Sequence, residues 1–287
     1  MSKIGVPADL LNQRSAIRES LLTWSKTNFR DLPWRTCREP YPILVAEILL
    51  KRTTATASAR IYGDFLSKYP TLHHLGKASE FTLIEDLRPL GLHHQRAKAI
   101  VKLASYLESE EGGAIPNSLE GLLRVPGLGN YAARAILSFG YGHPYAVVDS
   151  NVERVFRRVF QNRLPDRPAV TKFQAIADSL VPKARHREFN FALLDLTWAI
   201  CRPSTPKCRL CPLDAVCDYS RFGARLKESE LREIRKTEGL SLLKLSQMAG
   251  ISKAALISIE KGRVKPSMRS LEALFNALGS IDPTTKT

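Results

Sequence analysis

Four of the five cysteines of this 287-residue chain lie in one short segment, CRPSTPKCRLCPLDAVC, residues 201–217. The two-residue gap in the middle suits a tight loop in which both sulfurs face one ion, and the longer arms let the chain wrap around a larger group. Four thiolates can bind zinc or an iron–sulfur cluster, and the pattern leaves both open. The predicted metal ligands, spaced C-x6-C-x2-C-x5-C, are Cys201, Cys208, Cys211 and Cys217.

A glycine-containing turn joins two predicted helices in the segment VPGLGNYAARAI. The first helix is predicted over Leu119–Arg124 and the second from Asn130. Gly127 and Gly129 can adopt backbone angles that other residues resist, and they leave N–H groups at a helix start free to face a phosphate. Together with Pro126 they are candidate DNA-binding residues, although an ordinary turn between helices has the same pattern.

A carboxylate, Asp149, follows the apolar run AVV and precedes Ser150 and Asn151, where the next helix is predicted to begin. An aspartate in this position commonly caps a helix. A carboxylate at the mouth of a cleft can also stabilise the positive charge that develops on a sugar when a glycosidic bond breaks, and it can help a water molecule to attack. By itself the pattern favours the cap, and only together with the hairpin and the cysteine segment does it favour catalysis.

Together these three segments resemble the endonuclease III family of DNA glycosylases, which have the helix–hairpin–helix glycosylase fold. The resemblance covers about residues 20–220. It implies a [4Fe–4S] cluster on the four cysteines, with a structural role, in a loop whose Arg202, Lys207 and Arg209 would meet DNA phosphates. It also implies that Asp149 stabilises the sugar cation.

Tyr131 departs from the endonuclease III pattern, in which a lysine at this position forms a Schiff base with the sugar. A phenol cannot form an imine, so the departure implies a monofunctional enzyme that uses water and leaves an abasic site. Tyrosine here, with the segments LPWRTCREPYPILVAEILLKRTTA, GLHHQRAKAI and REFNFALLDLTWAIC, is similar to the thymine–DNA mismatch glycosylase branch. The expected reaction is hydrolytic excision of thymine, and of uracil, opposite guanine.

The same resemblance implies roles for four further residues. Glu47 would contact the extruded base, Leu92 would act as a wedge in the space left behind, and Lys51 and Arg52 would face the orphan base. Basic side chains suit the O6 and N7 acceptors of guanine.

Two alternative functions remain open on the sequence. The nearest is an adenine glycosylase that acts opposite guanine or 8-oxoguanine, in which the glutamate would protonate the purine. The other is a DNA-binding regulator without enzymatic activity, in which the cluster senses redox state.

The elements that must position these residues are predicted to be helices. Apolar residues recur at helical spacing along almost the whole chain, as in NVERVFRRVF, and no convincing alternating strand pattern appears. We therefore predict an all-α fold. Residues 1–222 would form a helix–hairpin–helix glycosylase domain with two helical lobes, a cleft and the cysteine loop, and residues 228–287 would form a second domain.

The segment LSQMAGISKAALISIEKG in this second domain resembles the helix-turn-helix of Cro and phage-repressor proteins. The second helix of that motif enters the DNA major groove and its first residues read bases, which here would be Ser252, Lys253 and Ala254. Ser241 and Ser252 are predicted helix N-caps. The helices are predicted over Glu230–Thr237, Leu242–Met248, Lys253–Lys261 and Met268–Leu278.

The composition agrees with a nucleic-acid partner. The formal net charge is +15, and the chain is basic on both sides of the predicted boundary. No apolar run is long enough for a membrane span, and the N-terminus lacks the apolar stretch of a secretory signal. The expected partner is double-stranded DNA that contains a mismatched base, the expected location is the cytoplasm with the nucleoid, and the oligomeric state is left open.

Overall fold

The computed structural model describes residues 8–160, 164, 169–222, 228–264, 266 and 268–279, and the regular secondary structure in these residues is helical, with no β-strand. The all-α prediction is therefore confirmed for the described part of the chain. Two compact units are present: residues 1–153 with 168–199, and residues 154–167 with 200–287. The predicted boundary between 222 and 228 stays a prediction, and residues 223–227 lie outside the described residues.

The first unit holds ten complete helices and the start of an eleventh, α9, which continues into the second unit. Its buried core is built mainly from leucine, isoleucine, valine and alanine side chains that these helices share. The helices are α1 Ala8–Asn28, α2 Pro40–Leu50, α3 Ala55–Lys68, α4 Leu72–Gly76, α5 Glu80–Leu87, α6 His93–Glu110, α7 Leu119–Arg124, α8 Asn130–Ala135, α9 Ser150–Val159, α10 Val170–Leu180 and α11 His186–Ala199.

Helix α2 is the central element of this core. Its sequence, PYPILVAEILL, is apolar nearly all round, as expected of a helix that is surrounded by others, and Glu47 is its only charged residue. Helix α2 packs against α3, α8 and the turn that follows α8. That turn, Ile136–Gly140, is a π-helical turn, and a Cβ atom added at Gly140 would lie 2.7 Å from Cα of Pro40. The glycine thus permits the close approach of the turn to the start of α2.

The hairpin prediction is confirmed in its elements. Helix α7 spans Leu119–Arg124 and α8 begins at Asn130, as predicted. Gly127 has φ +86, a left-handed conformation that disfavours any side chain, and it lies in the turn between the two helices. The apolar residues at helical spacing in NVERVFRRVF face the core, because Val152, Val155, Phe156, Val159 and Phe160 are all buried.

The second unit contains the cysteine segment and the four helices predicted for the C-terminal domain. Ser241 and Ser252 cap α14 and α15 as predicted, each accepting a hydrogen bond from a backbone N–H three residues ahead. The last four helices have a small apolar core of their own. The helices are α12 Asp218–Phe222, α13 Glu228–Thr237, α14 Leu242–Met248, α15 Lys253–Glu260 and α16 Met268–Gly279.

A buried ion pair ties α13 to α15 within this unit. The Arg235 guanidinium donates from Nε and Nη2 to the Glu260 carboxylate at 2.6 and 2.9 Å, and from Nη1 to the carbonyl of Leu240 at 2.9 Å. Both charged side chains are buried, so each depends on the other for its polar partner. The pair fixes the helix that carries the predicted base-reading residues.

Among the described residues, no single helix is long and apolar enough to cross a membrane.

Candidate active site and DNA interface

Three side chains from different elements of the first unit lie near one another. Glu47 projects from α2, Tyr131 from α8, and Asp149 ends the extended segment before α9. The charge of Asp149 raises the pKa of Glu47, and both carboxyl groups raise the pKa of Tyr131. All three side chains are partly exposed. The sequence-predicted catalytic residues are therefore brought together, while their roles stay predictions.

The carboxyl group of Glu47 is expected to be protonated at neutral pH. Burial among apolar neighbours is the main cause that raises its pKa to about 8, and the negative charge of Asp149 adds to this. A neutral carboxyl can donate a hydrogen bond or a proton to a base, which an ionised carboxylate cannot do.

The Tyr131 phenol keeps its proton under the same influences. Burial raises its pKa well above 10, the two carboxyl groups add to this, and the Arg35 guanidinium acts in the opposite direction. The phenol is therefore a neutral hydrogen-bonding group rather than a nucleophile.

The carboxylate of Asp149 is held by the start of α9. Its Oδ1 accepts hydrogen bonds from the backbone N–H groups of Asn151 at 2.9 Å and Val152 at 2.7 Å. Its Oδ2 accepts one from Nδ2 of Asn151 at 2.8 Å. Asp149 is thus an N-cap, as one reading of the sequence expected. The cap also fixes the direction of the carboxylate, so that capping and catalysis are compatible.

The segment that leads to Asp149 is fixed by a buried polar network that the sequence did not reveal. Asn190 accepts a hydrogen bond from the N–H of Val147 at 3.2 Å and donates one to the carbonyl of Tyr145 at 2.8 Å. Its Nδ2 also lies 3.1 Å from Oγ of Ser138, which lies 2.9 Å from Nδ1 of His186. Ser138 belongs to the π-helical turn, so that turn aligns the network with the segment.

A buried arginine, also missed at the sequence level, lies beside Tyr131. The Arg35 guanidinium forms two hydrogen bonds of 2.6 and 2.7 Å to the carboxylate of Asp195, and it packs over the rings of Phe29 and Phe191. Neither residue has a spacing that could have indicated the pair, because 160 positions separate them.

The predicted DNA-facing residues of the hairpin lie at the surface or close to it. Gly127 and Gly129 are exposed and Pro126 is partly exposed. Gly129 is the N-cap of α8, and no side chain caps that helix, so its first N–H groups have no side-chain acceptor there. The Nζ of Lys51 lies 3.4 Å from the carbonyl of Gly127.

The predicted wedge and orphan-base residues lie on two neighbouring loops. Lys51 and Arg52 are exposed after α2, and Leu92 is 46% exposed before α6. An apolar side chain with that much exposure does not pack in the core.

The four predicted metal ligands lie together in the second unit. All are free thiols, Cys201 and Cys217 are buried, and Cys208 and Cys211 are partly so. Burial and the charges of neighbouring cysteines raise the pKa values of Cys211 and Cys217 to about 12. Among the described residues, no three His, Cys, Asp or Glu side chains converge as closely as a single metal ion requires.

Arg158 of α9 organises the cysteine segment. It donates to the carbonyls of Arg202 and Pro203, at 2.7 Å each, and to Sγ of Cys201 at 3.3 Å, and it packs over the ring of Tyr219. A guanidinium beside a cysteine sulfur would offset the charge of a thiolate that binds a metal. The metal itself stays a prediction.

In the C-terminal helices, the predicted base-reading residues lie at the surface. Ser252, Lys253 and Ala254 are exposed at the start of α15. Because Ser252 caps α15 and Leu256 is buried beneath it, the exposed side of the first turn is free for a ligand.

Comparison with known proteins agrees with these observations. The family model described as "HhH-GPD superfamily base excision DNA repair protein" matches residues 45–182, and a helix-turn-helix model matches residues 231–285. A thymine-DNA glycosylase of Aeropyrum pernix is 39% identical over 71% of this chain and 94% of its own length. A thymine/uracil-DNA glycosylase of Methanothermobacter thermautotrophicus is 35% identical over 72% of this chain and 94% of its own length.

An adenine DNA glycosylase of Mycobacterium tuberculosis is 35% identical over 68% of this chain, but that region is only 65% of the relative. The solved structure of a thermostable thymine-DNA glycosylase superposes with a TM-score of 0.69 at 34% identity, over 73% of this chain and 97% of that one. The chain therefore belongs to the HhH-GPD superfamily of base excision DNA repair proteins, as a DNA glycosylase related to the thymine-DNA glycosylases, with a C-terminal helix-turn-helix domain.

Proposed function

We propose that the enzyme hydrolyses the glycosidic bond of thymine, and of uracil, paired with guanine in double-stranded DNA, and leaves an abasic site. The observation that carries this proposal is the grouping of Glu47, Tyr131 and Asp149, which supplies a neutral acid, a neutral phenol and an anchored carboxylate. The thymine-DNA glycosylase relatives support the choice of base.

The proposed reaction divides these groups between the base and the sugar. The target nucleotide turns out of the duplex, since its glycosidic bond is inaccessible inside the stack. As the bond between C1′ and the base nitrogen breaks, its electron pair leaves with the base, and the neutral carboxyl of Glu47 donates to a carbonyl oxygen of the pyrimidine. Asp149 stabilises the cationic sugar. Water then adds to C1′, and its proton passes to the Asp149 carboxylate.

Tyr131 limits the reaction to hydrolysis. Strand cleavage after base loss needs an amine that forms an imine with the opened sugar, and a phenol cannot form one. We infer that the phenol borders the base and that the enzyme lacks lyase activity.

An adenine glycosylase that acts opposite guanine or 8-oxoguanine is a second candidate. The neutral Glu47 favours it as well, because a protonated carboxyl can protonate a ring nitrogen of a purine.

The substrate is tested with duplexes that contain T·G, U·G, A·G and A·8-oxoguanine pairs, followed by alkali, which cleaves at abasic sites. We expect strand breaks from T·G and U·G only after alkali. Release of adenine without pyrimidine would establish the adenine alternative, and breaks without alkali that borohydride traps would indicate a lyase. A parent that is inert on all four pairs would disprove the proposed substrate.

Asp149 is tested with two substitutions that separate its two roles. Asparagine caps helices about as well as aspartate, whereas alanine loses about 1 kcal/mol of capping stability. We therefore expect Asp149→Asn to keep the melting temperature but to lower the single-turnover excision rate about 100-fold or more. Asp149→Ala should lower both the melting temperature and the single-turnover excision rate. If Asp149→Asn keeps the parent rate, Asp149 is only a cap.

The protonation of Glu47 predicts a pH dependence of activity. Because the neutral form donates, we expect the single-turnover rate to fall as pH rises through about 8, approaching tenfold per pH unit beyond it. Glu47→Gln, which cannot ionise, should be slower and should lack this decline. Identical pH profiles for the two proteins would exclude Glu47 as the donor.

The same group predicts how stability depends on pH. The pKa in the folded protein lies above the ordinary value of 4.5, so the folded state binds more protons between these limits. The free energy of unfolding of the parent should therefore fall, relative to Glu47→Gln, as pH rises from about 4.5 to 8, measured by denaturant unfolding at each pH.

We also propose that the four cysteines hold a [4Fe–4S] cluster, which would brace the loop that carries Arg202, Lys207 and Arg209 against DNA phosphates. Protein purified without oxygen should be brown, with absorption at about 400 nm and about four irons per chain. Cys211→Ser should lose both signals, while the control Cys37→Ser keeps them. A colourless protein with stoichiometric zinc would overturn this assignment.

We further infer that α15 reads a DNA sequence and brings the enzyme to particular sites, such as methylated cytosines whose deamination gives thymine opposite guanine. Selection from random duplexes should return a preferred sequence. Lys253→Ala should weaken binding to that sequence about tenfold, while Lys236→Ala, an exposed lysine on α13, should weaken it less. A selection without any preferred sequence would remove the targeting role.

A further inference from the structure

Two residues without the freedom of glycine adopt a left-handed backbone among the described residues, and both are predicted to face DNA. Arg52 has φ 54 and Leu92 has φ 52. A left-handed conformation costs an ordinary residue about 1–2 kcal/mol, so the surrounding structure must hold it in place. Strain at two exposed positions on neighbouring loops therefore requires an explanation within the fold.

The side chain of Arg96 lies between these two loops. Arg96 belongs to α6 and is 7% exposed. Its Nε donates to the carbonyl of Gly91, the residue before Leu92, at 3.0 Å. Its Nη2 donates to the carbonyl of Lys51, the residue before Arg52. One guanidinium thus binds the backbone directly before each of the two strained residues.

The same guanidinium closes the C-terminal end of α2. Nη1 of Arg96 lies 3.2 Å from the carbonyl of Ile48 and 3.4 Å from that of Leu49. Carbonyls at the end of a helix lack partners within the helix, and a cation there also interacts favourably with the helix dipole. Every hydrogen bond that the Arg96 side chain makes among the described residues goes to a main-chain carbonyl, so the side chain holds backbone in place.

We propose that Arg96 is a positioning residue that fixes the Leu92 loop and the Lys51–Arg52 loop relative to each other, so that wedge and orphan-base contacts enter the duplex together. The inference rests on the proposed function, because it takes these loops to meet the space that the extruded base leaves. Arg96 itself is buried and would touch neither base nor sugar. Its effect would be exerted through Leu92 and Arg52.

Lysine cannot replace arginine in this role. The guanidinium presents five N–H donors in a fixed planar fork, whereas an ammonium group has its donors on one nitrogen and cannot span carbonyls on two loops. Arg96→Lys keeps the positive charge and most of the packing, but it should release one of the loops. The substitution therefore tests geometry rather than charge.

The test compares a paired target with an unpaired one. Single-turnover excision is measured on a T·G duplex and on a duplex in which the target and its neighbours are unpaired, so that no wedge is needed. We expect Arg96→Lys to be at least about tenfold slower than the parent on the T·G duplex and within about twofold on the unpaired one. Arg88→Lys, an exposed arginine that pairs with Glu85, is the matched control and should change neither rate.

A second measurement separates positioning from a loss of stability. Leu92→Gly removes the wedge and relieves the left-handed strain, so the further effect of Arg96→Lys should be smaller in that background, where only the Lys51–Arg52 loop still depends on Arg96. Equal slowing of excision on both substrates by Arg96→Lys, or equal slowing of excision with and without Leu92, would overturn the proposal. So would an Arg96→Lys protein with the parent rate on T·G.

A reporter of base stacking keeps this inference distinct from the proposed reaction. A 2-aminopurine placed beside the mismatch becomes brighter when the stack opens, whether or not a base is excised. We expect the parent to raise this fluorescence on binding and Arg96→Lys to raise it much less. A parent that opens the stack without releasing a pyrimidine would disprove the proposed substrate alone, whereas equal brightening by both proteins would disprove the role of Arg96.

Discussion

The position of one carboxyl group, Glu47, on an otherwise apolar core helix is the constraint on which the candidate active site depends. Burial raises the pKa of Glu47 to about 8, and the charge of Asp149 adds to this, so the carboxyl is neutral near pH 7. Asp149 has different surroundings, since two backbone N–H groups at the start of α9 donate to its carboxylate and fix its direction. Two neighbouring carboxyl groups with different environments can take different roles, here an acid at Glu47 and an anion at Asp149 in the proposed reaction.

The helix cap is therefore part of the chemistry and not a rival to it. A carboxylate oxygen has more than one lone pair, so the bonds that Asp149 receives from Asn151 and Val152 leave room for further contacts. They also restrict its rotation, which makes the anion pre-organised towards a developing cation. The two readings of the sequence at this residue describe one arrangement.

Local patterns predicted local structure well. The bounds of α7 and α14, the start of α8 and the serine caps of α14 and α15 follow from spacing and turn chemistry, and the structure confirms them. Sequence resemblance also selected Glu47, Tyr131 and Asp149, which the fold brings together. What escaped prediction depends on distant partners: the Arg35–Asp195 pair, the Asn190 network and the carbonyls bound by Arg96 join positions far apart in the chain.

These missed residues share one physical task, which explains why no motif reveals them. Asn190 holds the backbone before Asp149, and Arg96 holds the backbone before Arg52 and Leu92. Each is buried and hydrogen-bonded to main-chain groups, so removing it would leave several unsatisfied polar atoms in the interior. Exposed site residues on loops lack such restraint of their own. Their positions are fixed by buried polar side chains that bind the neighbouring backbone. The type of the site residue does not indicate which buried side chain does this.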